Sequence, residues 1–204
     1  MIDTLNYIIT KYNIDLSNPS PFEINIGRRK DFPRLLNELG YKVGAEIGVY
    51  QGQYAHWLLR MMPGLKLYGV DLWEPYTGYK DFEANDIVDA YQIAVDNVAG
   101  KDCTLIKGWS NKIVEQFEDE SLDFCYIDGS HCYEYVVEDI AKWSKKVRKG
   151  GIVSGHDFDD FTDSKKRWSY MHVKIAVEGW MTAYKIHPWF VLNKNSGRSW
   201  FYVK

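Results

Sequence analysis

Four side chains able to take up or release a proton fall in two close pairs: Asp128 with His131, and His156 with Asp157. Each pair stands at the end of an apolar run, 122–128 or 151–156, that reads as a strand. If those strands are neighbours, two carboxylates and two imidazoles gather at one sheet edge. Such a cluster suits proton removal, because an imidazole titrates near working pH. A second set has different chemistry. Glu46-Ile47-Gly48-Val49-Tyr50-Gln51-Gly52 spaces two glycines behind an acid, and the run 65–71 ends on Asp71. Glycines let a backbone approach a ligand at a helix N-terminus, and an acid at the next strand tip accepts hydrogen bonds from ribose hydroxyls. The two sets together describe a nucleoside cradle beside a proton-accepting mouth.

Plainer readings exist for most of these residues. Asp128 and Ser110 also suit helix caps. His131 reads equally as an exposed loop residue, and His156 as a structural histidine. Asp139, inside a helical run, is expected to be solvated or capping, and Arg28-Arg29 to be a solvated charge run. Asp157 stands apart, since an acid that ends an apolar strand after Gly155 has little packing reason to be there.

The elements that must position these groups alternate. Strands are predicted at 42–49, 65–71, 103–107, 122–128 and 151–156, with helices at 52–61, 82–98, 110–118 and 132–147. This order requires parallel strands joined by crossover helices on both sheet faces. Lys149-Gly150-Gly151 reads as a helix stop before the strand at 151. A helix at 171–184 follows, and then 188–192 and 199–203 face each other across polar turn residues as a hairpin, which makes one strand antiparallel. Residues 1–40 lack the strand–glycine pattern. Helices at 2–12 and 31–39 flank a breaker cluster at 18–21, so 1–40 is expected to be a helical extension packed on one edge and roofing the site. Residues 41–204 form the main domain.

Length and charge narrow the partners. A chain of 204 residues with net charge −3 carries no basic footprint for nucleic acid. No apolar run is long enough to cross a bilayer, and the N-terminus lacks a basic stretch before an apolar core. Three cysteines fit neither a disulfide framework nor a metal knuckle. The expected compartment is cytoplasmic. Eight tryptophans and fifteen tyrosines are unusual, and several (Trp73, Tyr76, Tyr79, Trp168, Tyr170) fall in predicted loops, where they serve either as filler or as walls of an acceptor pocket.

These motifs, taken in order, resemble the class I S-adenosylmethionine-dependent methyltransferases, and among them the bacterial small-molecule O-methyltransferases related to the macrocin and catechol enzymes. The resemblance spans roughly 41–204. Its carriers are Glu46–Gly52, Gly69-Val70-Asp71-Leu72-Trp73, Lys107-Gly108-Trp109-Ser110, Asp123 to Tyr133 and Lys149 to Phe158. It implies a Rossmann-like α/β fold of seven mostly parallel strands with the last one antiparallel. It also implies methyl transfer from S-adenosylmethionine to a hydroxyl of a small molecule, sugar-containing or phenolic. Glu46, Gly48 and Gly52 would then cradle the methionine end. Asp71 would hold the ribose with Leu72 beside it, and Trp109 or Ser110 would border the adenine. Asp128 would serve both cofactor and chemistry. Tyr50 departs from the glycine of many relatives, and either narrows the pocket or turns away.

Metal-using relatives carry an acid after the fourth strand and two oxygen ligands after the fifth. Asp128 and Asp157 match two of those positions, but Phe158 stands at the third, with Asp159 and Asp160 beyond it. The expectation is therefore no obligatory Mg²⁺, with His131 as general base and His156 nearby. Loops 72–82 and 158–170 are the expected acceptor walls. The partners expected are a small-molecule acceptor and, for assembly, a second copy at most. Two rivals remain: a Rossmann-type NAD(P)-dependent oxidoreductase, opposed by the Gly-x-x-x-Gly spacing, and a non-catalytic S-adenosylmethionine-binding protein.

Overall fold

Strands β1 (Phe22–Ile24), β2 (Val43–Ile47), β3 (Lys66–Asp71), β4 (Cys103–Lys107), β5 (Leu122–Ile127), β6 (Val147–Gly155), β7 (Trp189–Leu192) and β8 (Trp200–Val203) lie in one sheet in the order β1-β7-β8-β6-β5-β2-β3-β4. The computed structural model describes residues 3–76, 84–159, 171–192 and 197–204, with backbone alone at 84–86 and 88. β8 runs antiparallel to both β6 and β7. The other pairings are parallel.

β5 alternates its apolar side chains between two cores. Phe124 and Tyr126 face one layer with Tyr54, Leu58, Ala90 and Ala94, which come from α3 (Gln53–Met61) and α4 (Ala84–Val98). Cys125 and Ile127 face the other with Val136, Ile140, Trp143, Ala176 and Val177, from α6 (Tyr133–Lys146) and α7 (Val173–Ala183). A period-2 pattern buried on both faces is what a central strand between two helix layers requires.

Register then places the chemistry. Ile47 pairs with Ile127 and with Val70, and Ile127 pairs with Gly155. The next residues along each strand, Gly48, Asp128, His156 and Asp71, therefore emerge abreast at the C-terminal edge, where open α/β sheets bind ligands.

Three features differ from the sequence expectation. The extension is not wholly helical: besides α1 (Thr4–Tyr12) and α2 (Phe32–Glu38), its Phe22–Ile24 pairs with β7, so among the described residues the sheet has eight strands instead of seven. Three residues of β1 are too few for periodicity to reveal. Lys149-Gly150-Gly151 does not stop a helix; it lies within β6, which starts at Val147 and shifts register against β5 between Leu122 and Phe124. The helix predicted at 110–118 is a short α5 (Ser110–Ile113) followed by a 3-10 turn, Val114–Gln116. Among the described residues no helix is long and apolar enough to cross a membrane.

Candidate active site

A cavity of about 770 Å³ opens at the C-terminal sheet edge, within the size range of small-molecule sites. Its floor is Glu46, Ile47 and Gly48. Glu46 is 1 % exposed, and its Oε2 has no hydrogen-bond partner among the described residues. Burial pushes the Glu46 carboxyl well above its ordinary range; the Arg29 charge opposes this, while Asp128 and Asp71 add to it. A buried polar atom in this condition is an open hydrogen-bonding position on the cavity floor.

Gly48 has φ +90°, and a Cβ there would lie 2.1 Å from the Asp128 carbonyl oxygen. Only glycine lets β2 and β5 release their ends side by side. Gly52 has another task. It is not part of the cavity wall, and a Cβ on it would press on Ala94 at 3.1 Å, so it packs α3 against α4.

Asp71 knits two loops together. Its Oδ2 accepts from the Tyr50 amide at 2.8 Å and its Oδ1 from the Trp73 amide at 3.0 Å. Burial raises the Asp71 carboxyl and these backbone amides pull it back down. The Tyr50 carbonyl accepts from Trp73 Nε1 at 2.7 Å, and Tyr50 itself, at φ 50°, lines the cavity beside Leu72. Past β4, Trp109 is 43 % exposed with Tyr76 edge-on at 4.9 Å, an open aromatic face for a flat group. Ser110 donates to Asp139 Oδ1 at 2.5 Å. Asp139 is 5 % exposed. Burial, partly offset by the Ser110 hydroxyl, pushes its carboxyl up to about 7.

The proton-accepting cluster is assembled from the segments that follow two strands, β5 and β6. His131 Nε2 lies 3.0 Å from Asp157 Oδ2. His156 Nδ1 lies 3.0 Å from Asp157 Oδ1 and 3.6 Å from Asp128 Oδ1. Burial would raise the Asp157 carboxyl, but the two imidazoles outweigh it and hold Asp157 well below the usual carboxylate range. Its backbone has φ 57°, an uncommon conformation for a non-glycine residue that clusters at functional sites. Asp128 Oδ2 is paired with Arg29.

Asp128, His131 and Asp157 each offer a ligand atom, all within 4.8 Å of one another, so they could share one cation. Mg²⁺ wants a near-octahedral oxygen set, and the residues fit it poorly. One donor is an imidazole, Asp157 is taken by two histidines, and Asp128 is taken by a guanidinium. Asp159 turns away to the Gly197 amide and to Arg198, whose Nε lies 3.0 Å from Asp159 Oδ1. Phe158 is buried against Trp189. Asp160 lies outside the described residues, as do Tyr79, Trp168 and Tyr170 and, more widely, 77–82 and 160–170 of the two loops expected as acceptor walls.

Residues 45–158, more than half of the chain, match the family described as "Methyltransferase domain". The chain belongs to that methyltransferase-domain family. The resemblance to S-adenosylmethionine-dependent methyltransferases is thereby borne out. No curated protein matches in sequence. Among solved structures, this methyltransferase is similar to a Staphylococcus aureus protein provisionally assigned as a caffeoyl-CoA O-methyltransferase, at TM-score 0.64 and 14 % identity over 99 % of this chain and 91 % of that one. It is also similar to an O-methyltransferase from Bacillus cereus in complex with S-adenosylhomocysteine, at TM-score 0.60 and 17 % identity over 100 % and 92 %. A methyltransferase from Podospora anserina bound to S-adenosylhomocysteine scores 0.59 at 13 % identity over 86 % and 78 %. At these identities the likeness concerns the fold.

The methyltransferase cavity brings together Glu46, Gly48, Tyr50, Asp71, Leu72, Trp109, Ser110, Asp128, His131, His156 and Asp157. It excludes Gly52 and adds two residues that the sequence reading set aside. Arg29 is no solvated charge, since its side chain lies in the cavity wall between Asp128 and the Tyr54 ring. Asp139 is neither solvated nor a cap. A signal for Asp139 existed in the sequence: it lies on the apolar face of its helix, three residues after Val136 and one before Ile140.

Proposed function

We propose that this methyltransferase moves a methyl group from S-adenosylmethionine to a hydroxyl of a small molecule, with His131 as general base. The observation that carries the reading is the His131–Asp157 pair at the rim of a cavity whose floor is Glu46 and Gly48. When bound, the donor supplies a methyl carbon already activated on a sulfonium.

The chain's own residues then have three tasks. Glu46 and the Gly48 backbone receive the methionine end, while Asp71 and Trp109 receive the adenosine. Alignment of acceptor and donor accounts for much of the acceleration, with about 7–11 kcal/mol available to well-oriented reactants. His131 would take the acceptor's proton as the acceptor oxygen receives the methyl group that the bound donor would supply, the donor leaving as the neutral thioether. The resulting imidazolium lies against the ionised Asp157 carboxylate. His156 holds the other oxygen of Asp157 and fixes its orientation.

The acceptor class rests on the His131–Asp157 pair, which suits removal of a hydroxyl proton. The test is mass spectrometry of phenolic and sugar-bearing metabolites after incubation with deuteromethyl-labelled S-adenosylmethionine. Transfer of the label to oxygen supports the proposal. Transfer to nitrogen or carbon, or none from any hydroxylated acceptor, contradicts it.

A further inference from the structure

Arg29 enters the cavity wall from a 3-10 turn, Arg29–Asp31, in the N-terminal extension. Its guanidinium lies over the Tyr54 ring at 4.1 Å and near the Tyr126 ring at 5.2 Å, and a terminal nitrogen is paired with Asp128. Its Nε is buried and has no hydrogen-bond partner among the described residues. Two more polar atoms of the same wall share that condition, Glu46 Oε2 and Tyr54 Oη. Buried polar groups are ordinarily satisfied, and each exception calls for an explanation. Here a donor nitrogen of a cation, an acceptor oxygen of an acid and a phenol are left open together around one cavity. Their chemistry matches a ligand end that carries both charges.

We infer that Arg29 grips a carboxylate while Glu46 accepts the adjacent ammonium, so that the two close on the zwitterionic α-amino-acid end of the methyl donor. This rests on the proposed reading of the cavity and adds a binding residue from outside the matched family segment. A guanidinium has five donors in a planar fork suited to a carboxylate, and pairing with Asp128 leaves donors available. Tyr54 holds the plane of the fork by stacking beneath it. The extension thus belongs to the cofactor site itself.

Calorimetric titration with three ligands tests this. S-adenosylhomocysteine carries both charges, its decarboxylated analogue keeps only the ammonium, and 5′-methylthioadenosine has neither. Arg29→Gln is expected to weaken S-adenosylhomocysteine by about 10- to 100-fold, the range for a charge-assisted hydrogen bond. It should leave 5′-methylthioadenosine within about twofold, and Arg29→Lys should recover part of the loss. Equal weakening of both ligands, or none, overturns the inference, because a merely structural role would not discriminate between them. If Arg29→Gln fails to fold, the wild-type protein still decides: it must prefer S-adenosylhomocysteine to the decarboxylated analogue by at least about tenfold, and a smaller preference overturns the inference. Failure of the wild-type protein to bind any adenosyl ligand would instead bring down the cofactor reading beneath it.

Discussion

His131 and Asp157 meet at 3.0 Å although 26 residues separate them in the chain. The contact exists because β5 and β6 are parallel neighbours whose ends coincide at Ile127 and Gly155. Asp157 also touches His156, and the two imidazoles keep it ionised. The ionised carboxylate lies where it can face the imidazolium that forms when His131 takes a proton from a hydroxyl.

His131→Ala should therefore lower kcat by about 10²- to 10⁴-fold, while affinity for S-adenosylhomocysteine stays within about threefold of wild type. Single-turnover kinetics and calorimetry separate the two quantities. Unchanged turnover would move the base elsewhere in the cluster.

Asp139 predicts a pH effect on stability. Its carboxyl is raised to about 7 by burial, so the folded state binds this proton more tightly than the unfolded chain does. Stability from this group is fully present below the unfolded pKa of about 3.9 and is lost as pH rises through the folded value. The loss by pH 8 is at most about 4 kcal/mol. Asn at this position still accepts from Ser110 and carries no charge. The thermal midpoint of Asp139→Asn relative to wild type should therefore improve by several degrees between pH 5 and pH 8. A constant gap would show that Asp139 is not held in the buried environment described.

The contrast between Asp157 and Asp139 shows what the sequence could tell. Asp157 was legible because a strand ending on Gly-His-Asp has no packing reason for its acid. The alternation of strands and helices likewise fixed the parallel order and the antiparallel close. Asp139 carried its signal in helical periodicity, but an acid on an apolar face is recognised only when its partner is known, and Ser110 lies 29 residues away. Arg29 gave no local signal at all. Its neighbours Arg28 and Lys30 are exposed, so charge pattern alone describes a solvated run, and burial comes from Tyr54 and Asp128, far along the chain. Gly52 reads as ligand backbone in the sequence because a spacing motif does not show the contact with Ala94 of α4 that also needs a glycine there.

Metal removal bears on the cluster's charge balance. Arg29 holds Asp128, and two histidines hold Asp157. Turnover is expected to persist after exhaustive dialysis against a chelator, within about twofold of the untreated enzyme. Loss of activity restored by Mg²⁺ or Mn²⁺ would mean that Asp128, His131 and Asp157 exchange their present partners for an ion.

Asp71 combines two roles, so its removal should show both. Asp71→Ala strips acceptors from the Tyr50 and Trp73 amides. It is expected to destabilise the fold by about 1–3 kcal/mol and to weaken S-adenosylhomocysteine at least about tenfold. Denaturant unfolding and calorimetry measure the two effects separately. Stability loss with intact binding would confine Asp71 to the loops.

The most direct measurement is titration of the wild-type protein with S-adenosylhomocysteine and, separately, with NADH. The account predicts saturable one-to-one binding of the first and no heat from the second. Binding of NADH, or silence toward S-adenosylhomocysteine, would contradict it.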